Sequence, residues 1–117
     1  MQLILNGGDK YMGRKKLILL PQQSNRLKQM GNQIRLARLR RKLPTSLVAE
    51  RAGISRQSVS AVEQGSPSVS IGIIANILLA IGLQEDLLLL AKDDVLGRTL
   101  QDCDLKNPRR KRVQHAT

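Results

Sequence analysis

The 117-residue sequence has no tryptophan, no phenylalanine and a single tyrosine, Tyr11, so any core must be built from Leu, Ile, Val, Ala and Met. It has one cysteine, Cys103, which excludes an internal disulfide and a four-cysteine zinc site; a lone thiol suits a reducing cytosol. Acidic residues are scarce, 9 against 20 Lys+Arg, for a net charge of +11. No apolar run is long enough to span a bilayer. The longest, Val69 to Leu83, is interrupted by Ser70 and Asn76 and falls short of the ~20 residues required. The opening MQLILNGGDKYMGRKK has too short an apolar run for a signal peptide and no basic region before it, so a soluble, cytoplasmic protein is expected. No repeat of fixed period is visible.

What is present is a globular composition, 41% hydrophobic and 25% charged, on a chain long enough for one domain and its tails. The cationic excess favours a polyanionic partner, nucleic acid or an anionic membrane, although some soluble proteins are simply basic. Charge falls in three blocks. Residues 1–62 carry +11, residues 63–105 carry −5, and residues 106–117 carry +5. The simplest reading gives the first block to nucleic acid and the acidic middle to protein contacts; the alternative is a solvated surface whose pattern means nothing.

The organisation is helical. Residues 1–23 read as an arm, with Leu17 to Leu20 a short strand or an extended segment and Met1 to Tyr11 poorly ordered. From Ser24, Leu27, Met30, Ile34 and Ala37 recur at helical spacing, with Ser24 or Asn25 as the cap and Pro44 as the stop. A second apolar stripe, Leu36, Leu39 and Leu43, predicts packing on two sides. Thr45 to Ala52 forms a short helix ended by Gly53, and Ser55 caps a third that runs to about Gln64 and closes at Gly65. Ser70 caps a fourth, Ile71 to Ile81, and Gln84 to Ala91 makes a fifth. From Lys92 onward the chain reads as a tail with little structure of its own. This places an all-α domain at 24–92, between an arm at 1–23 and an acidic-then-basic tail at 93–117.

One constellation stands out. A helix-turn-helix needs a small residue in its first helix, where the second crosses close above it, and Ala49 meets that need. The turn needs a left-handed residue without a Cβ, and Gly53 follows four residues later. The second helix must bury a face, which Ile54, Val59 and Val62 supply. Its outward face, Arg56, Gln57, Ser60, Ala61 and Gln64, is polar and free of carboxylates. An ordinary helical hairpin accounts for the apolar residues but for neither the glycine nor the acid-free face.

These residues carry a resemblance. AERAGISRQSVSAVEQG resembles the XRE/Cro/C1-type helix-turn-helix, and PSVSIGIIANILLAIGL is similar to that family's fourth and fifth helices. Together they imply a five-helix, lambda-repressor-like domain with flexible N- and C-terminal tails. SVSIG, LLAIGL and DVLGRTL followed by a basic tail resemble HipB-type antitoxins, which are encoded beside HipA-type kinase toxins. By this resemblance Ser55 caps the recognition helix and touches a phosphate, while Arg56 and Gln57 reach base edges or adjacent phosphates. Ser60 faces the groove one turn on, and Gln64 lies on the same outward face. Arg38 and Arg41 hold the DNA backbone, and Glu63 pairs with a first-helix arginine. The family often has Gln where this chain has Thr45, after Pro44, so a phosphate contact there falls to a shorter side chain. The first 20 or so residues match nothing in the family pattern.

No enzyme is expected, and no cofactor. The sole histidine, His115, lies in the tail, Cys103 sits between Asp102 and Asp104, and no phosphate-binding loop or calcium-loop spacing is present. Leu87 to Leu90 is more apolar surface than a monomer readily buries, which predicts a homodimer on a palindromic operator in double-stranded DNA. The leading expectation is a nucleoid-associated repressor that is the antitoxin of a HipA-like serine/threonine kinase toxin. The alternatives are a stand-alone or phage-type repressor, and an adaptor that keeps the fold without binding DNA.

Overall fold

The computed structural model describes residues 17–106. The expectations for Met1 to Tyr11, for the cations Arg109 to Arg112 and for His115 lie outside the described residues. The chain divides into two compact units with the boundary after Gln84. Five α-helices and one 3-10 helix make up the described residues, and no strand occurs among them.

In the N-terminal unit, Leu17 to Leu20 is extended and leads into α1, Pro21–Arg40. The helix therefore starts four residues earlier than a Ser24 cap implies and five earlier than an Asn25 cap. Proline at the first helical position has no N–H to leave unpaired and a φ already near the helical value, so Leu20 serves as the cap residue without a side-chain bond. Helices α2, Thr45–Ala52, α3, Arg56–Glu63, and α4, Ile71–Ala80, follow at the expected places. The serines at their starts act as caps: Ser55 Oγ accepts from the Ser58 N–H at 3.1 Å, and Ser70 Oγ from the Ile73 N–H at 3.3 Å.

All four helices end in the same way. The residue after the last turn adopts a left-handed φ, and two backbone bonds close the end, as in Leu43 N–H to Arg38 O (3.2 Å) and Ile54 N–H to Ala49 O (3.0 Å). Glycine supplies that φ at Gly53, Gly65 and Gly82, but at the end of α1 the residue is Lys42, at φ 56°. Helix α1 packs on α3, and α2 on α3 and α4. Val48, Val59, Val62 and Ile77 are the most deeply buried side chains, at 2% exposure or less, so the aliphatic core expected from the absence of aromatics is what holds this unit together.

The C-terminal unit has a different character. Gln84–Leu89, expected as an α-helix, is a 3-10 helix, and Ala91 takes a left-handed φ of 59°. Beyond it, α5 spans Val95–Leu105, where the sequence reading expects a tail with little structure of its own. Asp94 is its N-cap, accepting from the Gly97 N–H at 2.9 Å. No described residue of this unit is buried.

Candidate nucleic-acid interface

The α2–turn–α3 segment is built around Gly53. Its φ of 71° is a conformation that a Cβ strains, and it lets the chain reverse between the helices within three residues. Ala49 and Ala52, both buried, keep the α2 surface low, and α3 packs there with Val59 and Val62 turned inward. Asn76 of α4 donates to the Ala52 carbonyl at 3.2 Å, which satisfies a backbone acceptor at the end of α2.

The other face of α3 points to solvent. Arg56 and Gln57 occupy its first turn, Ser60 follows one turn on, and Gln64 stands at its end; all four are exposed. Gln64 Nε2 donates to Ser60 Oγ at 3.1 Å, which joins the last two into one polar edge. Ser55 is exposed at the start of the helix, with Thr45 half-buried at the start of α2. Helix α2 has no side-chain cap, so its first amides are left without a side-chain partner at the positive end of the helix dipole. Arg41 is exposed beyond α1, its guanidinium donating to the Ala37 carbonyl at 2.9 Å.

Arg38, expected to hold the DNA backbone, is the first-helix arginine that pairs with Glu63. It is 8% exposed, and three of its N–H groups are committed inside the unit: Nε to Glu63 Oε2 at 2.7 Å, Nη2 to Glu63 Oε1 at 3.0 Å and Nη1 to the Leu43 carbonyl at 2.9 Å. That is a bidentate ion pair joining α1 to the end of α3, with a further bond across the α1–α2 turn. The hydrogen bond to Glu63 is the main cause that raises the Arg38 pKa above its ordinary value, against the opposing effect of burial. A guanidinium held in this way is a strut between helices rather than a free cation for a phosphate. The same pair removes the only carboxylate of α3 from its outward face. Glu63 is turned inward with 8% of its side chain exposed, so its charge is both paired and hidden.

Two glycines, one of them passed over by sequence reasoning, set how closely α1 and α3 approach. A Cβ on Gly31 of α1 would lie 2.7 Å from the Glu63 carbonyl oxygen and closer still to that of Val62. A Cβ on Gly65, itself at φ 82°, would lie 2.6 Å from the backbone of Lys28. These are backbone-to-backbone contacts, and together they seat the end of α3 directly on α1. Gly65 is legible in the sequence as a helix terminator, but its second duty and that of Gly31 are tertiary, and no local pattern carries them.

Among the described residues no helix is long and apolar enough to cross a membrane, and no group of His, Cys, Asp and Glu is arranged to hold a metal ion. No curated protein matches the chain. The helix-turn-helix domain family matches residues 29–91, more than half of the sequence, from the α1 residues beneath α3 to the end of the 3-10 region. That span takes in Gly31, Gly53, Gly65 and the whole of α2 and α3, and the chain belongs to the helix-turn-helix domain family.

Proposed function

We propose that this DNA-binding regulator is a repressor of its own operon, that α3 is the helix that reads the operator, and that the protein is the antitoxin of a HipA-like kinase. The observation that carries the DNA reading is the acid-free face of α3: its one carboxylate is buried against Arg38, and Arg56, Gln57, Ser60 and Gln64 remain outside. Arg56 and Gln57 are in the first turn, the part of a recognition helix that reaches base edges in the major groove. A guanidinium matches guanine O6/N7 and a glutamine amide matches adenine N6/N7. Ser55, Thr45 at the uncapped start of α2, and Arg41 take phosphates, and the positive end of α2 adds to that contact. Arg38 orients α3 and reaches no phosphate. As a homodimer the protein sets two copies of α3 about one DNA turn apart, ~34 Å, on a palindromic site.

Titration of the full chain against DNA from upstream of its own gene tests this reading. Specific binding is expected, with log K falling by ~0.9 for each neutralised phosphate per tenfold in salt. Equal affinity for that DNA and for a shuffled duplex contradicts it.

The antitoxin reading rests on the resemblance in SVSIG, LLAIGL and DVLGRTL, and is supported by an acidic C-terminal unit whose leucines lie uncovered. Six carboxylates against three cations in residues 85–106 make a poor surface for DNA and a suitable one for a protein. The basic residues that follow serve the toxin: truncation after Asp104 is expected to preserve operator affinity and its salt slope while abolishing neutralisation of a co-expressed kinase. If the truncation instead flattens the salt slope and neutralisation survives, the tail serves DNA. Failure of any HipA-like kinase to co-purify from the native host leaves the stand-alone or phage-type repressor as the function.

A further inference from the structure

The outward face of α3 carries two glutamines in line. At about 100° and ~1.5 Å per residue, Gln57 and Gln64 stand ~20° apart around the helix axis and ~10.5 Å apart along it. Gln64 follows the last helical residue, but its backbone stays on the helical track: φ is −87°, and its N–H donates to the Ser60 carbonyl at 2.9 Å. The side chains between the two are short or turned away. Val59 and Val62 are buried, the Ser58 hydroxyl lies 3.1 Å from Ser55 Oγ, and Glu63 is paired with Arg38. Only Ser60 and Ala61 remain on the outward side, and Ser60 is engaged by Gln64.

That engagement decides what Gln64 presents. Its Nε2 has two N–H groups, and one is given to Ser60 Oγ at 3.1 Å. Left over are Oε1 and the other N–H, one acceptor and one donor, the pair that meets adenine N6 and N7. Guanine shows two acceptors on the same edge, N7 and O6, and a single remaining N–H meets only one of them. The bond to Ser60 also holds the amide on the helix before DNA arrives, so less side-chain freedom is lost on binding. Gln57, whose side chain bonds to no described residue, keeps both of its N–H groups.

We propose that Gln57 and Gln64 are a pair of adenine readers set three base steps apart, and that Ser60 is the positioning residue that makes the second adenine-specific. This rests on the reading of α3 as the operator-facing helix and deepens it to a half-site pattern. Successive bases on a strand are ~3.4 Å apart, so the ~10.5 Å between the two amides spans about three steps. Each half-site then holds two A·T pairs flanking two others. The flanked pairs are read weakly, because only Ser60, already engaged, and the methyl of Ala61 face them.

Selection of the full-length chain against a random-sequence duplex library, followed by anisotropy titration of the enriched duplex, tests the proposal. The enriched half-site should carry two A·T pairs three steps apart around two tolerant pairs. Replacing either adenine by 7-deazaadenine, which lacks the N7 acceptor, should weaken binding about tenfold. Gln57→Ala should abolish that sensitivity at one of the two adenines, and Gln64→Ala at the other. Ser60→Ala frees the second N–H of Gln64. It should lower the preference for adenine over guanine about fivefold at the Gln64 pair, while the Gln57 pair and thermal unfolding stay unchanged. If Gln57→Ala acts at one adenine but Gln64→Ala weakens every duplex alike, Gln64 meets a phosphate and this inference alone is overturned. Amide-sensitive adenines at any other spacing overturn it too, and a Ser60→Ala variant with both preferences intact overturns the role of Ser60. If neither glutamine variant alters any base preference, the operator-reading role of α3 fails and this inference falls with it.

Discussion

Val48, Val59, Val62 and Ile77 are sealed inside the N-terminal unit, whereas not one described residue of the C-terminal unit is buried. Charge divides the same way. Residues 17–84 carry nine cations against Glu50 and Glu63, and residues 85–106 carry six carboxylates against Lys92, Arg98 and Lys106. The first unit closes its own core and leaves a polar, cationic surface outside. The second spreads leucines over its surface. On the proposed function the difference separates two tasks, with nucleic acid read by the first unit and protein met by the second.

The contrast is broken most severely at the buried pair. Glu63→Ala leaves the Arg38 guanidinium buried without its carboxylate and should cost about 3–5 kcal/mol in urea unfolding. Replacing both, Arg38→Met with Glu63→Leu, should cost clearly less, because no stranded charge remains. If Glu63→Ala is as stable as the native chain, the pair is not what fixes α3 on α1. Next comes Gly65→Ala, in which the new Cβ meets the Lys28 backbone and a left-handed φ at once; a loss on the order of 2–4 kcal/mol is expected in the same measurement.

Smaller effects belong to the surface. Arg56→Ala should lower operator affinity by ~1–3 kcal/mol without altering thermal unfolding, because its side chain is exposed and its loss opens no cavity. Smallest, and opposite in sign, is Lys42→Gly. It relieves a left-handed φ of 56° on a residue with a Cβ, and should stabilise the N-terminal unit by about 1 kcal/mol as read from the denaturation midpoint.

What the sequence made legible follows the range of the interactions. Ser55, Ser70, Gly53, Gly65 and Gly82 are local signals, and helices α2 to α4 begin and end where these residues place them. The start of α1 was missed although Pro21 marks it, because Ser24 is also a good cap and the apolar period begins beyond it. Helix α5 was missed because Gly97 and the neighbouring carboxylates resemble a solvated tail; Asp94 as a cap, followed by the spacing of Leu96, Leu100 and Cys103, is the signal that could have found it. Arg38 shows the limit most clearly. The sequence reading paired Glu63 with a first-helix arginine and also gave Arg38 to the DNA, and a one-dimensional pattern contains nothing that excludes the second role. Burial argues against it, since three of the guanidinium's N–H groups are committed inside the unit.

The most direct test of the account is the ratio of affinities for the native operator and for one altered at a single adenine in each half-site, measured by fluorescence anisotropy for the native chain and for Gln57→Ala. If the exposed face of α3 reads bases, the native chain discriminates between the two duplexes and Gln57→Ala loses ~1–3 kcal/mol of that discrimination at the position its amide contacts. A ratio that stays unchanged at every adenine tested, with overall affinity intact, contradicts the assignment of base reading to this face.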